Sequence, residues 1–394
     1  MASNALLTPS VITKETLVIL ENNLVAAGKV NRQFENQFVK IGSSLTVRKP
    51  NRFKVSSGPG LSIQDVIEPS TSITISNQKH VDFQFTTVDL TLTVEEFSER
   101  YLKPAAAELA NQLDYDVLTN FNQVFNEVGS PGIVPASFQS IANVGQRMDE
   151  GAVPQDGRVL ILNPAAYWSL ANGLTTLYVR SVAEPALKGF LASIANFEIF
   201  LDQNIQGQLV GAYAGNAVVN GAGQTGSSII TNGWTASITG LLNVGDVITF
   251  NGVNAVNPKN RQSTGSLQNF VITAIANSDT GGNSTLQIYP SIITSGAYQT
   301  VTGSPANLAA ISVKGTASTL YAQNIGFVRD AFGLVTVPME IPGGVDFAAR
   351  ETYKNISMRI IRAYDINNDL LPTRVDIIYG TATFYSELAC RLAN

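Results

Sequence analysis

A chain with one histidine, His80, and one cysteine, Cys390, has few routes to covalent or acid–base chemistry. An intrachain disulfide, a Cys/His zinc site and a two-histidine metal site all need more donors than these two residues provide. His80 is the only imidazole that could act as base to Cys390 or to a serine. It stands at the edge of an alternating strand pattern, where a lone histidine is usually structural. Glu95 and Glu96 form a carboxylate pair, but adjacent strand residues face opposite ways, so with Glu99 and Arg100 they read as a solvated patch. The hexamer Gly221-Ala-Gly-Gln-Thr-Gly226 has dinucleotide-binding spacing, and Asp246 lies about 20 residues on, where a ribose-binding acid would sit. That fingerprint requires a helix N-terminus to hold the pyrophosphate. Ser227-Ser-Ile-Ile-Thr-Asn-Gly is instead β-branched and soon reaches another glycine, so the hexamer reads as a Gly-rich loop. The sequence therefore points away from an enzyme and implies no catalytic residue, cofactor or metal.

The remaining chemistry is charge. Leu45, Val47, Phe53 and Val55 alternate with Thr46, Arg48, Arg52 and Lys54, which places three cations on one strand face with Lys49 nearby. Pro50 interrupts that strand and argues for an edge or projecting position. After Ser56-Ser-Gly-Pro-Gly60 a return arm through Ile63, Val66 and Ile73 carries Asp65 and Glu68. The cations could meet nucleic acid, lipid or an acidic protein surface, could be solvated, or could be neutralised by Asp65 and Glu68. On a projecting hairpin all six ions become contacts to a neighbour, where complementary charge fixes register. Lys259 and Arg261, the only charges in the loop Asn251 to Gly265, are a second contact candidate, a plain solvated loop being the alternative.

Composition bounds the rest. The chain has 394 residues, 44% apolar and 14% charged, where globular proteins average about 25% charged; disorder is excluded for most of its length. A net charge of −5 disfavours a dedicated nucleic-acid reader. Met1 to Lys14 lacks signal-peptide character and no run of 18 apolar residues occurs, so the expectation is a soluble intracellular product with no membrane role.

Gln206 to Ile325 holds only five charged residues, Asp246, Lys259, Arg261, Asp279 and Lys314, yet 16 of the 32 glycines. Its short β-rich runs at Asp246, Asn269 and Ser284 read as a small antiparallel β domain inserted in the chain. Alternation from Val81 to Val94, with one slip at Thr86-Thr87, predicts a strand of ~14 residues and ~46 Å, long enough to project from a compact body. Pro104 to Gly129 predicts a helix of ~25 residues. Further helices are expected at Pro135 to Met148, Pro164 to Leu170 and Ser386 to Leu392. Strands are expected at 158–162, 334–337, 356–364 and 374–379, and Asn196 to Leu201 leads into the inserted unit. The fold class is α+β.

Leu6-Leu-Thr-Pro-Ser-Val-Ile-Thr-Lys-Glu, Lys79-His-Val-Asp-Phe, Ser98-Glu-Arg-Tyr-Leu-Lys-Pro and Ile356 to Tyr379 resemble the major capsid (coat) proteins of tailed bacteriophages. Val244 to Pro258 and Gln268 to Ile275 are similar to the inserted β-barrel of the short-tailed-phage coat family. The resemblance covers essentially the whole chain, and its specificity lies in the order of the motifs. It implies the tailed-phage major capsid fold. By position, residues 1–45 would be an N-terminal arm, 46–86 an extended β-hairpin loop, and 87–205 the first part of a peripheral and axial core with a spine helix. Residues 206–325 would be the all-β insertion and 326–394 the rest of the core. It further implies pentamers and hexamers in an icosahedral shell, with a scaffolding protein, a portal protein and double-stranded DNA packaged without sequence specificity as partners. The product would lie in the virion capsid, assembled in the host bacterial cytoplasm. Glu15 and Glu21, in the expected arm helix, could meet a basic scaffold helix or be ordinary helix surface. The alternatives are a carbohydrate-binding or decorating virion protein, a cargo nanocompartment shell of the same fold, or an enzyme using His80.

Overall fold

The computed structural model describes residues 9–33, 44–61, 63–64, 66, 68–86, 101–173, 193–345, 347–366 and 370–394. Among these the helices are α1 (Pro9–Asn23), α2 (Lys103–Leu118), α3 (Phe138–Glu150) and α4 (Pro164–Gly173). The strands begin with β1 (Ser44–Arg48), β2 (Ser70–Thr74), β3 (Asn77–Thr86), β4 (Glu127–Val128), β5 (Arg158–Leu162), β6 (Ser193–Ile194), β7 (Phe197–Leu201) and β8 (Gly207–Leu209). They continue as β9 (Gly215–Val219), β10 (Gly226–Trp234), β11 (Val247–Val256), β12 (Ser263–Ile272), β13 (Ser284–Ile292) and β14 (Ile311–Val313). The last are β15 (Leu320–Val328), β16 (Phe332–Thr336), β17 (Phe347–Tyr353), β18 (Ile356–Arg362), β19 (Leu370–Thr383) and β20 (Ala389–Ala393). The chain packs as two units, one of 1–47, 70–117 and 332–384, the other of 48–69, 118–331 and 385–394.

In the first unit an antiparallel sheet runs β16-β19-β18-β17, and β3 pairs with β19 over ten positions, from Asn77 opposite Tyr379 to Thr86 opposite Leu370. Leu17 and Leu20 of α1 are fully buried, and the helix packs on β17 and β18. Buried Asp114 of α2 accepts hydrogen bonds from the Val25 and Ala27 amides at 2.8 and 2.7 Å, so α2 fixes the turn that follows α1. The Tyr379 hydroxyl donates to Asp116 at 2.5 Å, and burial with that carboxylate raises its proton affinity. A Cβ on Gly380 would lie 2.3 Å from the Thr74 carbonyl oxygen, so only glycine lets the chain at Thr74 approach β19 this closely.

Across β3 and β19, Arg374 grips the Asp82 carboxylate at 2.8 and 3.0 Å, and His80 Nδ1 lies 2.9 Å from it. Arg374 holds the Asp82 carboxyl below its ordinary value of 3.8. Because the folded value is the lower one, the stabilisation is present above pH 3.8 and is lost as pH falls through the folded value. Arg374→Gln is therefore expected to be less stable than the parent above that pH and to converge with it below, as urea melts along an acid series will read.

The second unit holds two sheets. In one the order is β4-β20-β15-β5-β7-β6 with β8 also on β15; β4/β20 and β5/β7 are parallel and the other pairs antiparallel. Every residue of β5 and β20 is buried, as expected of strands covered on both faces. Ile141, Val144 and Met148 of α3 and Ala166 and Leu170 of α4 close over Leu160, Leu162, Phe197, Cys390 and Leu392. The second sheet, β14-β11-β12-β13-β10-β9, pairs antiparallel and has a core of its own, including Trp234, Ile248, Phe250, Phe270 and Leu286. The Trp234 indole N–H is satisfied by Thr231 Oγ1 at 2.8 Å.

Three elements differ from their expectation. The long helix stops at Leu118, continues as a 3₁₀ turn over Thr119–Gln123, and is extended by Val124; Glu127 and Val128 then join the sheet beside Arg391 and Leu392. Their ladder hydrogen bonds outweigh the helical spacing of Val124 and Val128. Ser386 to Leu392 is a 3₁₀ turn leading into β20 rather than a helix, since a short apolar run carries no period that separates buried helix from buried strand. The strand expected to carry Arg48, Arg52 and Lys54 ends at Arg48. Residues 49–61 have no ladder, so the three cations do not share a strand face. Of the long alternating strand, Val81 to Thr86 belong to β3 and residues 87–94 lie outside the described residues.

Candidate functional site

Three prolines, Pro50, Pro59 and Pro69, deprive the segment between β1 and β2 of ladder donors, so beyond one backbone bond at the base its limbs are joined by side chains. At the base the Lys49 amide donates to the Pro69 carbonyl at 2.7 Å, and Arg48 pairs with Glu68 at 2.9 Å. Both partners are largely exposed, so that pair contributes little, about 0–1 kcal/mol. Further out, Gln64 imitates a strand partner: its Oε1 accepts from the Lys54 amide at 2.7 Å and its Nε2 donates to the Lys54 carbonyl. Asp65 lies outside the described residues.

Beyond this clasp the segment presents apolar surface to solvent. Val55 is 92% exposed, Leu61 89%, Ile63 83%, Val66 65% and Phe53 61%. A Cβ added at Gly58 or Gly60 would meet nothing within 4 Å. Single exposed apolar residues are ordinary; five on one short segment form a patch.

The base of the segment is anchored within the second unit. Arg52 Nη2 reaches Glu387 at 2.8 Å and its amide donates to the Tyr298 hydroxyl at 3.2 Å. The Lys49 ammonium sits 5.1 Å from the centre of the Tyr385 ring, and burial lowers its proton affinity against the pull of Glu387. Arg261 donates to the Ala297 carbonyl at 2.6 Å, so one short loop, 297–298, holds both Arg52 and Arg261. Lys259 is exposed on the Asn257 turn, where its amide is bound by Asn257 Oδ1. The structure thus gathers Lys49, Arg52 and Arg261, separates Lys54 and Lys259 from them, and pairs Arg48 with Glu68. Tyr298, Tyr385, Glu387 and Gln64 complete the arrangement without any signal in the sequence.

The groups with catalytic potential are otherwise engaged. Cys390 is fully buried and its thiol is pushed up to about 12 by burial, which leaves it protonated and a poor nucleophile near neutrality. His80 is turned to Asp82. The Gly221–Gly226 hexamer spans the turn from β9 to β10, with positive φ at Gly221, Gly223 and Gly226; it leads into a strand, not a helix. Asp246 is buried and accepts from the Gly211 and Asn243 amides and from Gln208 Nε2. Glu21 is taken up by Arg32 at 2.8 Å and is only partly exposed.

Residues 1–391 match the family model described as P22 coat protein, gene protein 5. The chain belongs to the P22 coat protein family. Among solved structures, the coat-family chain is similar to one from Mycobacterium phage Che8, at 11% identity and TM-score 0.49, covering 94% of this chain and 90% of that one. A chain of Mycobacterium phage Ogopogo matches at 12% identity and TM-score 0.43, covering 94% and 91%. A virus-like particle from Pyrococcus furiosus matches at 10% identity and TM-score 0.41, covering 97% and 98%. No curated protein sequence matches the chain. The coat family is a structural one.

Proposed function

We propose that this chain is the major capsid subunit of a tailed phage, assembling through pentamers and hexamers into an icosahedral shell around double-stranded DNA. The observation that carries this reading is the apolar tip of residues 53–66, which is solvated in the single chain of a coat-family protein. Such a surface is characteristic of an interaction site, and a neighbouring copy is always at hand in a shell. Residues 1–45 serve as the arm, 46–86 as the extended loop, and 206–325 as the inserted β domain on a core made of 87–205 and 326–394. Scaffolding and portal proteins guide closure in the bacterial cytoplasm, and the DNA is held without sequence readout, in keeping with a net charge of −5. The role is non-enzymatic.

Expression of the chain alone or with its scaffold, followed by negative-stain microscopy, tests this. Uniform closed particles are expected; a discrete small oligomer under both conditions overturns it.

A further inference from the structure

Behind the anchored base, wholly within the second unit, lies a cavity of about 320 Å³, at the lower end of the range that holds small organic ligands. Its walls combine flat rings, Phe125, Tyr289, Tyr298 and Tyr385, with the side chains of Lys49 and Arg52. Charge on this side is unbalanced. Lys49, Arg52 and Arg261 act on one another or on the same carboxylate, and that carboxylate, Glu387, is already committed to Arg52 at 2.8 Å. Arg147 and Glu150, on another wall, neutralise each other at 3.3 Å. The Lys49 ammonium therefore faces the cavity with a tyrosine ring and a shared carboxylate as its company. Aromatic faces and an excess cation converge on one space.

We infer that this cavity binds a planar aromatic monoanion, its ring against Tyr298 and Tyr385 and its acid group on Lys49. Rings supply stacking area, and the partly desolvated ammonium gives a charge-assisted bond to a carboxylate. The inference stands apart from the shell reading, since it concerns the unassembled chain. Because Lys49, Pro50, Asn51 and Arg52 form one wall, an occupant also braces the root of the 53–66 segment.

The test is calorimetry and ligand-observed NMR on unassembled chain with 2-naphthoate, 2-naphthylmethylammonium and inorganic phosphate as probes. Naphthoate is expected to bind with a Kd of about 1 mM or tighter, with the ammonium probe and phosphate each at least about tenfold weaker. Lys49→Met should weaken naphthoate about tenfold, while Lys49→Arg, which keeps the charge, should stay within about threefold of the parent. Equal binding of the ammonium probe, preference for phosphate, or no naphthoate binding overturns the assignment using the parent chain alone. So does unchanged affinity in a folded Lys49→Met chain.

Discussion

Val55→Asp, Leu61→Asp and Ile63→Asp combined are expected to leave a folded chain that no longer closes into particles. In the single chain these side chains are 83 to 92% exposed, and exposed substitutions shift stability by about 0.5 kcal/mol or less each. On a neighbour, full burial of each is worth about 1.5–3 kcal/mol. The triple variant thus forfeits roughly 5 kcal/mol per contact, over three decades in association, before the cost of burying carboxylates is added. A shell multiplies that loss over every copy. Sedimentation should show unassembled chain with the parent's thermal midpoint, and particles of normal yield would remove the tip from the account. Reversal of Arg52 is a poorer probe, because Arg52 is bound to Glu387 of its own chain and its loss disturbs the anchor as well.

The second large effect is expected at Asp246. Its carboxylate is 1% exposed and takes three donors, Gln208 Nε2 at 2.8 Å, the Gly211 amide at 2.9 Å and the Asn243 amide at 2.8 Å. Asp246→Ala orphans all three in a buried place, at about 1–3 kcal/mol for each unsatisfied group and with incomplete additivity. A loss of about 3–5 kcal/mol is expected, a drop of roughly 10 °C in Tm if the unit melts as a domain of about 250 residues. Asp246→Asn keeps the shape and one acceptor and should lose about half as much. A fall of under 2 °C in Asp246→Ala by calorimetry, about 1 kcal/mol or less, would mean that the turn at 208–246 holds without its carboxylate.

Much of the fold was legible because period and composition act locally. Arg158-Val-Leu-Ile-Leu reads as a buried strand and is one. The β-branched runs near Asp246, Asn269 and Ser284 lie in β11, β12 and β13, which pair antiparallel. Failure came where a distant segment decides. Val124 and Val128 carry helical spacing, yet β20, more than 250 positions along the chain, draws Glu127 and Val128 into a sheet. Pairing with β15 and β4 likewise turns Ala389 to Leu392, expected in a helix, into part of a strand.

The candidate site was legible only in part. The charges at 48–54 stand out in sequence, and Glu68, one of the two acids expected to neutralise them, does pair with Arg48; the other partners do not stand out. Gln64 as a surrogate strand, Glu387 on Arg52 and Tyr385 beneath Lys49 depend on tertiary placement and on no local pattern. The alternation through Phe53 and Val55 suggested a strand; Pro50, Pro59 and Pro69 prevent one and leave those side chains in solvent.

Whether residues 53–66 are covered by an adjoining copy is read most directly by cryo-EM reconstruction of assembled particles at side-chain resolution. The tip is expected to lie across the neighbouring subunit with Val55, Leu61 and Ile63 out of solvent. Closed particles in which the tip stays solvated, or turns back onto the chain that bears it, would contradict this.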